Sequence, residues 1–210
     1  MTGADEHWNA VYEKRSSQEV SWYREHLETS LAFIDAARFA ASARVLDVGA
    51  GASTLVDDLL QRGFTDVEIF DLSERAIARV RERLRACDDD GPSAVRFSVG
   101  NVLTHSFDQA AVDLWHDRAV LHFLTDDADR EVYRRQLMGA LARGGHVILG
   151  GFANDGPEKC SGLPVRRSSA EDLFAFLGEG FEPLNTAREA HVTPWGSSQS
   201  FVYVHARLRT

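Results

Sequence analysis

Cysteine is scarce in this chain: Cys87 and Cys160 are the only two in 210 residues, and they lack CxxC spacing. That scarcity argues against a disulfide framework or a zinc knuckle, and no metal is expected. Basic residues are outnumbered, 23 Lys and Arg against 32 Asp and Glu, for a net charge of −9. Proteins that track nucleic-acid phosphates need clustered Lys and Arg. Here the arginines from Arg75 to Arg85 have Glu74 and Glu82 among them, so no nucleic-acid partner is expected. No apolar run approaches the roughly twenty residues of a membrane span. The opening MTGADEHWNAVYEKR lacks the basic-then-apolar pattern of a secretory signal. No membrane partner is expected, and the expected location is cytoplasmic. Repeats and low-complexity tracts are missing too, and DDDGP (88–92) reads as a solvated turn.

What the chain does contain is alternation. The apolar runs VLDVG (45–49), VEIFD (67–71), VRFSVG (95–100), VDLW (112–115) and HVILGGF (146–152) are separated by helical patterns. Ser53 to Arg62 and Ser73 to Ala86 are two of these, the second with Ser73 as its cap. A third is expected to start at Thr125 and to stop at Gly144-Gly145. Strands alternating with helices predict an α/β fold with a parallel sheet. After Phe152 come a loop (153–167), a helix (169–177) and two strand-like runs, 181–192 and 199–207, joined by TPWGSS as an antiparallel pair. One domain over 1–210 is expected. Its parts would be an N-terminal helical cap (1–42), a ligand-binding core (43–152) and a C-terminal loop, helix and hairpin (153–210).

VLDVGAGAS (45–53) leaves a strand and opens a helix, the setting of a nucleotide-binding turn. A dinucleotide fingerprint would want a third glycine at position 54, which is Thr. Asp47 at this strand end would repel a pyrophosphate and attract a cationic head. S-adenosylmethionine has such a head, an ammonium beside a sulfonium, and no phosphate. Gly49 and Gly51 let backbone approach the ligand closely. Asp71, at the end of the second run, can accept from both ribose hydroxyls. Asn101, after the third run, can accept from an adenine amino group and donate to a ring nitrogen.

These stretches resemble the class I S-adenosylmethionine-dependent methyltransferases. VLDVGAGAS looks like their first motif, FDLS (70–73) like their second-strand acid, GNV (100–102) like their adenine-contacting turn, and LARGGHVIL (141–149) like the approach to their fifth strand. Ser53, Asn101 and Arg143 depart from that pattern. The resemblance implies a Rossmann-like seven-stranded sheet of order 3-2-1-4-5-7-6, with strand 7 antiparallel and helices on both faces. It also implies a cofactor site of Trp22, Asp47, Gly49, Ala50, Gly51, Ser53, Asp71, Leu72, Asn101, Val102, Trp115 and His116. HWNAVYEK (7–14) is similar to the entry segment of bacterial small-molecule methyltransferases and of elongation-factor lysine methyltransferases.

WHDRAVLHFL (115–124) would then line the crevice at the topological switch point, beside the reacting methyl. Trp115 and His116 are expected nearest the cofactor. Asp117 and Arg118 either face the acceptor or pair with each other, and His122 either packs under Phe123 or acts in catalysis. Candidate catalytic residues are thus His116, Asp117, Arg118 and His122. His116 and His122 are six apart, which does not suit two metal ligands on one helix face. Trp8, Tyr12, Trp22 and Tyr23 form either the apolar side of a docked helix or a lid over the sulfonium. The 154–164 loop, Cys160, His191 and Trp195 are further candidates for substrate contact. The expected activity is methyl transfer to a small-molecule N, O or S nucleophile. A protein-lysine methyltransferase, or a non-catalytic S-adenosylmethionine-binding protein, is the alternative.

Overall fold

Strand residues alternate between two cores. In β1 (Arg44–Val48), Val45 faces one layer and Leu46 and Val48 the other. The computed structural model that shows this describes residues 3–86 and 94–210, so Cys87 and the DDDGP turn lie outside the described residues. The remaining parallel strands are β2 (Asp66–Asp71), β3 (Val95–Val99), β4 (Val112–Arg118) and β5 (Leu141–Phe152). The C-terminal hairpin supplies β6 (Phe181–Val192) and β7 (Ser198–Leu208), with β7 antiparallel to both β5 and β6. Two short strands, Lys159–Cys160 and Leu163–Pro164, make a separate ladder. The large sheet therefore runs β3-β2-β1-β4-β5-β7-β6, the order that the family resemblance implies.

Both faces are covered by helices. α2 (Glu28–Ala37), α3 (Leu55–Gln61) and α4 (Glu74–Arg85) pack on one, and α5 (Asp127–Ala140) and α6 (Ala170–Leu177) on the other. α1 (Ala4–Lys14) lies against α4. Leu31, Phe33 and Ile34 of α2 are core residues, so this helix is integral to the packing.

Local chemistry sets the helix ends. The Ser73 hydroxyl accepts from the Ala76 N–H at the start of α4, and Ser169 and Asp172 form a reciprocal capping box on α6. Two boundaries differ from expectation. α5 is capped by Asp126, which accepts from the Ala128 N–H, and not by Thr125. It also ends at Ala140, before the Gly144-Gly145 pair, because Leu141 is already extended and pairs with Val112. No described helix is long and apolar enough to cross a membrane.

Candidate functional site

At the carboxyl ends of β1, β2 and β4 the sheet opens onto a cavity of about 290 Å³. The backbone leaves β1 through Gly49 and Gly51, both left-handed with φ of 65° and 57°. An added Cβ at Gly49 would sit 1.8 Å from a Val120 methyl, and one at Gly51 would sit 2.3 Å from the Tyr12 hydroxyl. Only glycine permits both the turn and these approaches. The Gly51 N–H donates to Oδ2 of Asp71 at 2.8 Å, and the Ser73 N–H donates to Oδ1 at 2.7 Å. Each carboxylate oxygen keeps a lone pair for a ligand hydroxyl. Burial, with a lesser push from the negative Asp47, raises the Asp71 carboxyl to about 6. Two acids thus share one neighbourhood, which favours a cation there and disfavours a pyrophosphate. The carbonyl of Asn101 accepts from the Leu103 N–H at 2.9 Å, which leaves its NH₂ for a ligand.

The far half of the cavity is aromatic. Trp8 meets Trp22 edge-on at 5.7 Å and Phe123 at 5.1 Å, and Phe152 meets Phe201 at 4.9 Å. A smaller cavity of about 40 Å³ adjoins this one through Trp22, Gly49 and Arg118, and is lined by Tyr23, Asp47, Ala50, Ser53 and His116. Arg118 bridges the two. Its Nε donates to the Tyr203 hydroxyl and Nη1 to the Trp22 carbonyl, both at 2.9 Å, while the buried Nη2 has no partner among the described residues.

Residues 45–145 match a family model described as a methyltransferase domain. A search of curated proteins gave no match to the sequence. Among solved structures, the chain resembles the magnesium protoporphyrin IX methyltransferase of Synechocystis PCC 6803, with bound S-adenosylhomocysteine, at TM-score 0.75 and 16% identity over 100% of this chain and 99% of that one. A protein of the conversion of a disulfide bond into a thioacetal group during echinomycin biosynthesis gives TM-score 0.77 and 18% identity, covering 98% of this chain and 92% of that one. The Burkholderia thailandensis 1,6-didemethyltoxoflavin-N1-methyltransferase gives 0.70 and 20%, covering 99% and 85%. Residues 45–145 are a methyltransferase domain, and the chain as a whole has the fold of the S-adenosylmethionine-dependent methyltransferases.

Within this methyltransferase, Gly49, Asp71, Leu72, Asn101 and Val102 line the main cavity together with Trp22, Arg118 and His122. Asp47, Ala50, Ser53 and His116 line the smaller one. Gly51 lies beneath Tyr12 and lines neither cavity. The donor set suits the cofactor. Asp71 can take a ribose diol, Asn101 an adenine edge, and Asp47 an ammonium, and the unpartnered Nη2 of Arg118 can take a carboxylate.

Three expectations need correction. β4 runs on through Arg118, so WHDR is strand and its side chains alternate between the faces. Trp115 is fully buried in the α5 core, with its indole N–H donating to Tyr133 at 2.9 Å, and it cannot touch a ligand in the cavity. Asp117 points to the same side. Its carboxylate accepts from the N–H groups of Val120 and Leu121 and from the Tyr133 hydroxyl, and it makes no pair with Arg118. His116 faces the other way but is held at both nitrogens. Nδ1 is hydrogen-bonded to the Asp47 carboxyl group at 2.7 Å and Nε2 to the Ser30 hydroxyl at 2.9 Å.

The remaining candidates divide. Trp8 and Tyr12 line the cavity, as the lid reading requires, while α1 also docks on α4. Cys160 lines it too, but burial pushes its thiol up to about 11, away from the thiolate. His191 is buried with Nε2 donating to the Ser21 carbonyl at 2.5 Å, and Trp195 is exposed at the hairpin turn. Phe152, Leu163, Pro164 and Phe201 complete the wall. Nothing in their spacing marks them, since each reads as an ordinary strand or loop apolar residue.

Proposed function

We propose that this methyltransferase acts on a small-molecule acceptor bound in the aromatic half of the main cavity. The observation that carries this reading is the wall itself. α1, the short 159–164 ladder and β7 all project apolar side chains onto the cofactor residues, leaving a space of about 290 Å³, near the low end for small-molecule sites. Two fold neighbours are named for methylating small molecules, a toxoflavin precursor and magnesium protoporphyrin IX.

When bound, S-adenosylmethionine supplies an electrophilic methyl group on a sulfonium. In the proposed arrangement Asp71 holds the ribose hydroxyls, Asn101 and Val102 the adenine, Asp47 the ammonium and Arg118 the carboxylate. Trp8 and Trp22 would exclude water, and aromatic rings suit the positive end of the cofactor. Holding acceptor and donor in line is the main contribution asked of the chain. His116 and Asp117 have their bonding capacity filled by protein groups, which leaves His122 as the one histidine of the cavity free to meet an acceptor.

Calorimetry with S-adenosylhomocysteine and NAD side by side tests the cofactor half, and only the first is expected to bind. Incubation with methyl-labelled cofactor and a cell lysate tests the acceptor half. Label in the small-molecule fraction is expected. Label confined to protein, or cofactor binding with no transfer at all, would overturn the reading.

A further inference from the structure

We propose that the acceptor is a planar aromatic or heteroaromatic compound, uncharged or anionic, whose hydroxyl or ring nitrogen is hydrogen-bonded by His122. This rests on the acceptor reading above and names the class of molecule that fits it.

His122 is only 4% exposed, lines the cavity, and has no hydrogen-bond partner at either ring nitrogen among the described residues. Its ring is fixed edge-on to Phe123 at 4.3 Å and tilted against Phe152 at 5.0 Å, and its carbonyl accepts from the Arg166 N–H at 2.7 Å. A buried imidazole left unpaired at both nitrogens is costly. Burial and the neighbouring Arg118 drive it down to about 3, so at neutral pH it is uncharged, with one donor and one acceptor. Either nitrogen can bond a ligand hydroxyl, which gives or takes a hydrogen bond, and the N–H can bond a ring nitrogen.

The surrounding surface selects the shape. Trp8, Trp22, Phe123, Phe152 and Phe201 come from five separate places in the chain and put ring faces and edges around the same space. Flat ligands meet such walls by stacking and edge contacts. Charge is selected by what is missing. Asp71 is the only carboxylate among the lining residues, and two backbone N–H groups already bind it. An ammonium acceptor would find no counter-ion near His122. Aromatic faces do attract cations, but the Arg118 guanidinium already sits 4.8 Å over Phe201, so a second cation would face a like charge.

The test uses calorimetric titration of the whole protein, with and without S-adenosylhomocysteine. The probes are 2-naphthol, naphthalene and hexylammonium. 2-Naphthol is expected to bind about tenfold tighter than naphthalene, the worth of one buried hydrogen bond, and hexylammonium weakest. His122→Leu should shrink the tenfold gap to under about threefold, and His122→Gln should keep most of it, with S-adenosylhomocysteine affinity unchanged in both. Hexylammonium binding as well as the hydroxyarene would overturn the proposal, as would a gap indifferent to His122→Leu. If S-adenosylhomocysteine fails to bind, the methyltransferase reading falls alone, because the titrations without it still decide the ligand class.

Discussion

Gly49 shows how little room the binding turn leaves. Its φ of 65° is costly for an L side chain, and a methyl there would collide with Val120. Gly49→Ala is expected to lower stability by about 1–3 kcal/mol, read from the urea midpoint. It should also weaken S-adenosylhomocysteine binding more than tenfold by calorimetry, because the displaced Val120 itself lines the cavity. Positions of this kind are legible in a sequence, since a glycine or an acid at a strand mouth has few other uses. Asp71 and Asn101 were found that way, and both line the cavity. Trp115 and Asp117 were misplaced by the same approach. Nearness to a strand end says nothing about which face of the sheet a side chain takes.

The fourth strand decides that question. Its apolar signal stops at Trp115, yet pairing with β1 and β5 continues as far as Asp117 and Arg118 respectively. The polar residues stay in the strand because each finds a buried partner: Asp47 and Ser30 for His116, Tyr133 and two N–H groups for Asp117. None of these partners is adjacent in sequence, so pattern reading ends the strand too early. Asp117 also ties β4 to the turn that delivers Val120, His122 and Phe123 to the cavity. Asp117→Ala would leave two buried donors, the Leu121 N–H and the Tyr133 hydroxyl, and the part-buried Val120 N–H without their acceptor, and should cost about 3 kcal/mol or more. Chemical denaturation followed by tryptophan fluorescence would show it, and an unchanged midpoint would mean that the turn holds without its carboxylate.

Over the whole molecule, buried titratable groups give opposing pH dependences. His122 is held near 3 and His205 near 4, mainly by burial, so the unfolded chain takes up these protons first as pH falls below about 6.5. Stability from these two is full at neutral pH and is lost in acid. Asp71 and Asp117, raised to about 6, act the other way: the folded chain binds their protons first, a gain on acidification between about 6 and 4. Between pH 7.5 and 5.5 each histidine should cost about 1.4 kcal/mol, more than each acid returns, so net stability falls. His122→Leu should reduce that fall by about 1.4 kcal/mol. Urea unfolding at the two pH values checks it, and an equal fall in both proteins would show that His122 is charged in the folded state.

Periodicity and strand-end chemistry were enough to establish the alternating architecture and the acids and glycines at the strand mouths, because these depend on short-range pattern and on backbone sterics, while the order of the seven strands followed from the family resemblance. The aromatic wall was decided only when α1, the 159–164 ladder and β7 converged on the end of β4, and the withdrawal of His116 and Asp117 into the protein only when α2 and α5 packed on that strand. Burial, and hydrogen bonds between residues 69 to 86 positions apart such as those of His116, are properties of neighbours in space, which a linear pattern does not carry.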